Sequence, residues 1–178
     1  MTTRRMTTLP SLQKVVFDTK HNGTALPQSR YVDELHKIGA VKEALGGYCA
    51  DQQLTIVDSA EGLLVRFGTY DLSGVTSMCL DPSTGQILLV PAKKDRTFFV
   101  NSSLEQFNKT AEAVLRRFPF YSENDVFEVM DRVAQDLADI IAEIDAQVMA
   151  ADRYGSYWDD LVEDIRMGDY AKEFFESD

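Results

Sequence analysis

Four carboxylates near the carboxyl end of the chain have a spacing that could serve chemistry with cations. Asp160, Glu163 and Asp164 fall on one face of a predicted helix, and Asp159 precedes them. Oxygen ligands of this kind hold hard cations such as Mg²⁺ or Ca²⁺. The group lacks the alternating ligand spacing of a calcium loop, and a solvated acidic helix face has the same pattern. We therefore expect no metal and no cofactor here.

The rest of the chain offers no constellation of residues for catalysis. It contains no glycine-rich phosphate loop, zinc spacing or nucleophile elbow, and His21 and His36 have no nucleophile in a recognisable setting. Nothing places one carboxylate of a pair in an apolar pocket, as acid–base catalysis requires. Cys49 and Cys79 are far apart and are expected as free thiols in a reducing compartment. The sequence predicts that the protein is not an enzyme.

Charge is distributed unevenly along the 178 residues, which carry a net charge of −11. Residues 122–178 hold 17 acidic and 4 basic side chains, whereas residues 1–121 have a net charge of +2. This pattern argues against nucleic-acid binding and favours either a basic partner or simple solubility. No apolar run is long enough to span a membrane, so we expect no membrane association and a cytoplasmic location.

The segment 76–107 shows most clearly how the elements are joined. Asp81-Pro82-Ser83-Thr84-Gly85 predicts a tight turn, because Asp81 can accept hydrogen bonds within its own turn and Gly85 can adopt a positive φ. The flanking runs are therefore expected to be paired strands. A further strand over 97–100 leads to Ser102, whose spacing to Glu105 is that of a capping box for the next helix.

The remaining pattern predicts an α+β fold. Ser29 is a candidate N-cap for a helix that ends at Gly39, and Pro119 ends the helix that follows Ser102. Together with the turn region, runs at 54–57 and 63–70 give an antiparallel sheet of about five strands, with packed helices. We expect three regions: a tail and loop over 1–28, the α+β core over 29–121, and an acidic helical C-terminal extension over 122–178 that packs on the core.

The acidic extension contains apolar residues at helical spacing from 126 to 148. We predict one long acidic C-terminal helix, opened by Ser122 and Asp125 and extending roughly 40 Å if it is straight. Its apolar stripe could pack against the core or against a second copy of the chain, giving a homodimer. A shorter final helix is expected after Ser156.

The turn, strand and capping pattern resembles the SUKH superfamily of bacterial immunity proteins, particularly its fourth subgroup. The similarity rests on the two runs 79–87 and 99–107 in this order, together with Ser29 to Gly39 as the first helix of the family. The region around Tyr157 and Trp158 is similar to the family's C-terminal end. Members are small cytoplasmic proteins that neutralise polymorphic or contact-dependent toxins by binding them, so the resemblance implies an immunity function without catalysis.

On this reading the partner is a cognate toxin, and its basic active site is covered by an acidic surface bearing aromatic side chains. The expected partner-binding residues are three aromatic anchors and four acids: Tyr154, Tyr157, Trp158, Asp159, Asp160, Glu163 and Asp164. The alternative is a non-enzymatic scaffold or regulatory module that associates through the long C-terminal helix.

Overall fold

The computed structural model describes residues 12–17, 25–70, 75–93, 96–150 and 156–175. Over these ranges the chain is α+β, with four α-helices and antiparallel sheets, which confirms the expected class. Much of the tail and loop expected over 1–28 lies outside the described residues. None of the described helices is both long and apolar enough to cross a membrane.

The main sheet has six strands that follow one another in chain order, each antiparallel to the next. These strands are β3 (Glu43–Ala44), β4 (Tyr48–Ser59), β5 (Gly62–Tyr70), β6 (Thr76–Leu80), β7 (Ile87–Val90) and β8 (Phe98–Asn101). The five longer strands match the predicted ones, while the two residues of β3 are too few to leave a periodic signal. A separate pair joins β1 (Lys14–Val15) to β2 (Ala40–Val41).

Both faces of the sheet centre are buried. Met78 and Leu80 of β6 belong to the main core, whereas Cys79 lies in a second cluster on the opposite face with Leu88. Successive side chains of a strand point to opposite faces, so two covered faces explain why β6 and β7 are buried along almost their whole length. Cys49 is exposed and Cys79 is buried, and neither forms a disulfide.

Helix α1 (Arg30–Ile38) confirms the predicted cap and stop. The Ser29 hydroxyl accepts a hydrogen bond from the Tyr31 amide at 3.2 Å, and Gly39 ends the helix with φ 68°. The helix packs on the predicted turn: a Cβ added to Gly85, which has φ 82°, would lie 2.5 Å from the Tyr31 ring. Glycine is therefore required at this position for two reasons, backbone conformation and space.

Helix α2 (Leu104–Leu115) corrects the predicted capping box by one residue. Its N-cap is Ser103, whose hydroxyl accepts from the Gln106 amide at 3.2 Å. The Ser102 hydroxyl instead donates to a carboxylate of the C-terminal region, Asp145, at 2.8 Å. Either of two adjacent serines can cap a helix. Because the Ser102 hydroxyl is bound to Asp145, Ser103 caps the helix here.

The long acidic C-terminal helix is not confirmed. Helix α3 (Phe127–Ile144) has 18 residues, a length of about 27 Å, and ends where Asp145 adopts an extended conformation. Although Asp145 belongs to the acidic extension, it is 2% exposed and accepts a hydrogen bond from the Ser102 amide. At the other end, the Asp125 carboxylate accepts from the Ser122 amide at 2.7 Å within a turn that precedes the helix.

Candidate partner-binding surface

Helix α4 (Tyr157–Arg166) carries most of the predicted partner-binding residues. Its N-cap is Ser156, as predicted, and the Ser156 hydroxyl accepts from the Asp159 amide at 3.2 Å. One face of α4 is fully buried against α3 and the sheet core. Because that face is fixed, the orientation of the acidic face towards solvent is fixed as well.

A buried polar network anchors the inner face of α4. The Trp158 indole nitrogen donates to the Asn101 side-chain oxygen at 2.8 Å. The Asn101 side-chain nitrogen in turn donates to the Asp145 carboxylate at 3.2 Å. Asp145 also accepts from the Ser102 amide at 2.6 Å. This network joins α4, β8, the start of α2 and the end of α3. Buried polar groups with partners at every step fix one arrangement of the surrounding elements.

Two of the three predicted aromatic anchors, Tyr157 and Trp158, are buried and are not part of the surface. Tyr157 and Trp158 are 1% and 0% exposed, and their rings pack edge to face at 4.7 Å. The Tyr157 hydroxyl donates to the Leu45 carbonyl, and burial raises the pKa of Tyr157 well above its ordinary value. Both side chains are parts of the core, which corrects their expected exposure. Tyr154 lies outside the described residues.

The acidic residues do lie on the outer side of α4. Asp160 and Glu163 are exposed, and Asp159 and Asp164 are half-buried. Since a helix turns about 100° per residue, Asp160, Glu163 and Asp164 form one stripe, and Asp159 lies to its side. The Arg166 guanidinium pairs with Glu163 and, at 3.0 Å, with Asp131 of α3.

Burial and mutual repulsion raise the pKa values of three of these carboxyls. For Asp160 the cause is partial burial and then the charge of Asp159; for Asp164 it is partial burial and then the charges of Asp169, Asp160 and Glu163. Burial also raises the pKa of Asp159, against hydrogen bonds from Ser156. Partial burial first and neighbouring negative charges second disfavour the ionised form of these carboxyls, so a positively charged group placed beside them would stabilise that form.

Over the described ranges, no group of three or more His, Cys, Asp or Glu side chains is arranged to hold a metal ion. What the stripe offers is therefore charge and hydrogen-bond acceptors. Among the described residues, the side-chain hydrogen bonds of this face involve Glu163, which accepts from Arg166, and the Ser156 hydroxyl, which accepts from the Asp159 amide.

Comparison with known families decides the class of the chain. The family model of the SUKH-4 immunity protein matches residues 14–164, from β1 into the last turn of α4. The chain belongs to the SUKH-4 immunity protein family. Membership confirms the resemblance drawn from the sequence and implies a role in immunity to a toxin. No curated protein and no solved structure matches the chain significantly.

Sequence reasoning missed exposed apolar side chains beside the acidic stripe of this SUKH-4 protein. Phe127 at the start of α3 is 59% exposed, and Met167 after α4 is 72% exposed. A signal was present for Met167, which follows Glu163 by four residues and therefore lies on the same helix face. Phe127 was obscured by Val126, which continues the apolar spacing of the predicted long helix.

Proposed function

We propose that this SUKH-4 protein binds a cognate polymorphic or contact-dependent toxin and neutralises it by covering the toxin's basic active site. The observation that carries the proposal is the stripe of Asp160, Glu163 and Asp164 on the outer side of a rigidly anchored helix. Such a stripe can replace the negative charge of a phosphate-bearing substrate, and it speeds association with a basic surface. The protein acts by binding alone, without metal, cofactor or catalysis.

The location of the charge supports the same partner. The stripe belongs to residues 122–178, where the net charge is −13, so the local field extends beyond the individual carboxylates. Nucleic acid and anionic membrane would be repelled by this region. A cytoplasmic toxin domain with a cluster of lysines and arginines has the complementary chemistry.

Most of the α3 surface that the scaffold alternative requires is not exposed. Ala134, Leu137 and Ile141 of the α3 stripe are buried in the chain's own core. Val126 at the beginning of the stripe is 61% exposed, and Ile140 and Ile144 are half-buried. A homodimer built on the whole stripe would require α3 to leave the core.

Co-expression tests the proposed function. Where a polymorphic-toxin domain is encoded immediately upstream, that domain is expressed alone and together with this chain, growth is followed, and complexes are pulled down at low and high salt. We expect rescue of growth and a complex that weakens at high salt. Absence of both rescue and complex with that domain would refute immunity against it, and rescue without a complex would refute neutralisation by binding.

A further inference from the structure

Three exposed apolar side chains lie near one end of the α3–α4 pair. Val126, Phe127 and Met167 are 61%, 59% and 72% exposed. The start of α3 lies beside the end of α4, because Asp131 pairs with Arg166 and the Met130 sulfur lies 3.4 Å from the position of a Cβ on Gly168. The chain therefore leaves large apolar side chains in water at a site where two helices converge.

The other exposed large apolar side chains of the described residues lie apart from this helix junction. Leu12 and Val16 flank β1, Leu63 stands near the beginning of β5, and Val75 precedes β6. Single exposed apolar side chains are normal on a protein surface and need no explanation. Three together at one helix junction indicate an interaction surface.

The same helix face joins this group to the acidic stripe. Met167 follows Asp160, Glu163 and Asp164 by seven, four and three residues, so it continues their stripe at the end of α4. Around Phe127, the acids Glu123, Glu128 and Asp131 are exposed. The exposed Arg132 is nearby, while Arg166 is already engaged by Asp131 and Glu163. An apolar centre with an acidic rim results.

We infer that Val126, Phe127 and Met167 are the apolar centre of the surface that docks the toxin, and that the α4 acids are its rim. The occupant is a toxin surface in which lysines and arginines surround an apolar pocket. A second copy of this chain fits poorly, since it would bring an equally acidic rim against the first. The inference rests on the proposed function and assigns to Phe127 and Met167 the anchoring role that the buried Tyr157 and Trp158 do not fill.

Affinity measurements with matched variants test the inference. The toxin domain that passes the co-expression test, purified and catalytically inactivated, is titrated with wild type, with the Phe127→Ser/Met167→Ser double variant, and with Leu63→Ser as an exposed apolar control. We expect the double variant to bind at least about 30-fold more weakly, as the loss of a central anchor does. We expect Leu63→Ser to stay within about threefold of wild type, and the unfolding midpoints of all three proteins to agree closely because the altered side chains are exposed.

The outcomes separate the inference from the proposed function on which it rests. If wild type binds and the double variant binds equally well, the apolar centre is wrong while the proposed function stands. If wild type does not bind the toxin domain at all, the proposed function fails first. Light scattering tests whether the chain forms a dimer through the same side chains. If wild type is a dimer, the double variant is a monomer and toxin affinity is unchanged, the three side chains serve self-association and the inference is overturned.

Discussion

Two carboxylates of the acidic C-terminal region, Asp145 and Asp160, have opposite surroundings. Asp145 is buried and accepts hydrogen bonds from the side chains of Asn101 and Ser102 and from the Ser102 amide. Asp160 is exposed, lies among like charges and accepts no side-chain hydrogen bond within the described residues. The acidity of this region is therefore not one property. One acid holds the fold together, and the other belongs to the stripe that we propose binds the toxin.

Asp81 in the β6–β7 turn provides a third case. Its carboxylate accepts from the Ser83 amide and hydroxyl, each at 2.7 Å, and from the Thr84 hydroxyl at 2.8 Å. Partial burial acts to raise the pKa of Asp81, but these hydrogen bonds outweigh it and hold the pKa below its ordinary value. Asp81 and Asp160 thus have pKa shifts of opposite sign, which makes the contrast measurable.

The largest expected effect is at the buried acid. Asp145→Ala leaves the Ser102 amide and the Asn101 side chain without their acceptor in the core, so we expect a loss of about 3 kcal/mol in the free energy of unfolding. Urea denaturation measures it. Asp136→Ala, at an exposed position of α3, is the control and should change stability by less than about 0.5 kcal/mol. Equal losses of stability in the two variants would contradict the distinction between the buried acid and the exposed acids.

A smaller loss of stability is expected from a substitution in the β6–β7 turn. Asp81→Ala removes the acceptor of three hydrogen bonds and should cost about 1 kcal/mol at neutral pH. Because the pKa of Asp81 is lowered in the folded protein, its stabilisation is present above the unfolded pKa and disappears as pH falls through the folded pKa. Denaturation at neutral and acidic pH measures this difference. A cost that persists unchanged at the lowest pH would contradict it.

The smallest effect, with the opposite sign, is expected on the outer face. The Asp160→Asn/Asp164→Asn double variant removes two carboxylates whose pKa values are raised, by burial first and by neighbouring charges second. Raised carboxyl pKa values lower stability above the folded pKa, and protonation relieves this as pH falls towards the unfolded pKa. We expect the variant to be about 0.5 kcal/mol more stable at neutral pH and low salt, with the gain vanishing in acid. A destabilised variant would show that these acids support the fold.

The sequence was most informative where the structure is determined locally. The cap at Ser29, the stop at Gly39 and the turn at Asp81 depend on residues a few positions apart, and the structure confirms them. Five strands followed from short apolar runs between turns. The end of α3 could not be predicted in this way, because Asp145 leaves the helix to bind Ser102, a contact between residues 43 positions apart.

The candidate site was predictable only in part, for the same reason. Helical spacing placed Asp160, Glu163 and Asp164 on one face, and they share it in the structure. Spacing could not tell which side of α4 faces the core. Trp158 is buried because β8 supplies Asn101 as a partner for the indole, and nothing within α4 reveals that partner.

The measurement that tests the central claim most directly is toxin affinity as a function of salt for two variants of equal charge. One reverses Asp160, Glu163 and Asp164 to lysine, and the other reverses the exposed α3 acids Asp136, Asp139 and Glu143. We predict that the first variant binds at least about tenfold more weakly at low salt and loses most of the salt dependence, while the second stays much closer to wild type. Equal affinities for both variants and wild type, or equal losses in both variants, would contradict the claim that the outer face of α4 binds the toxin.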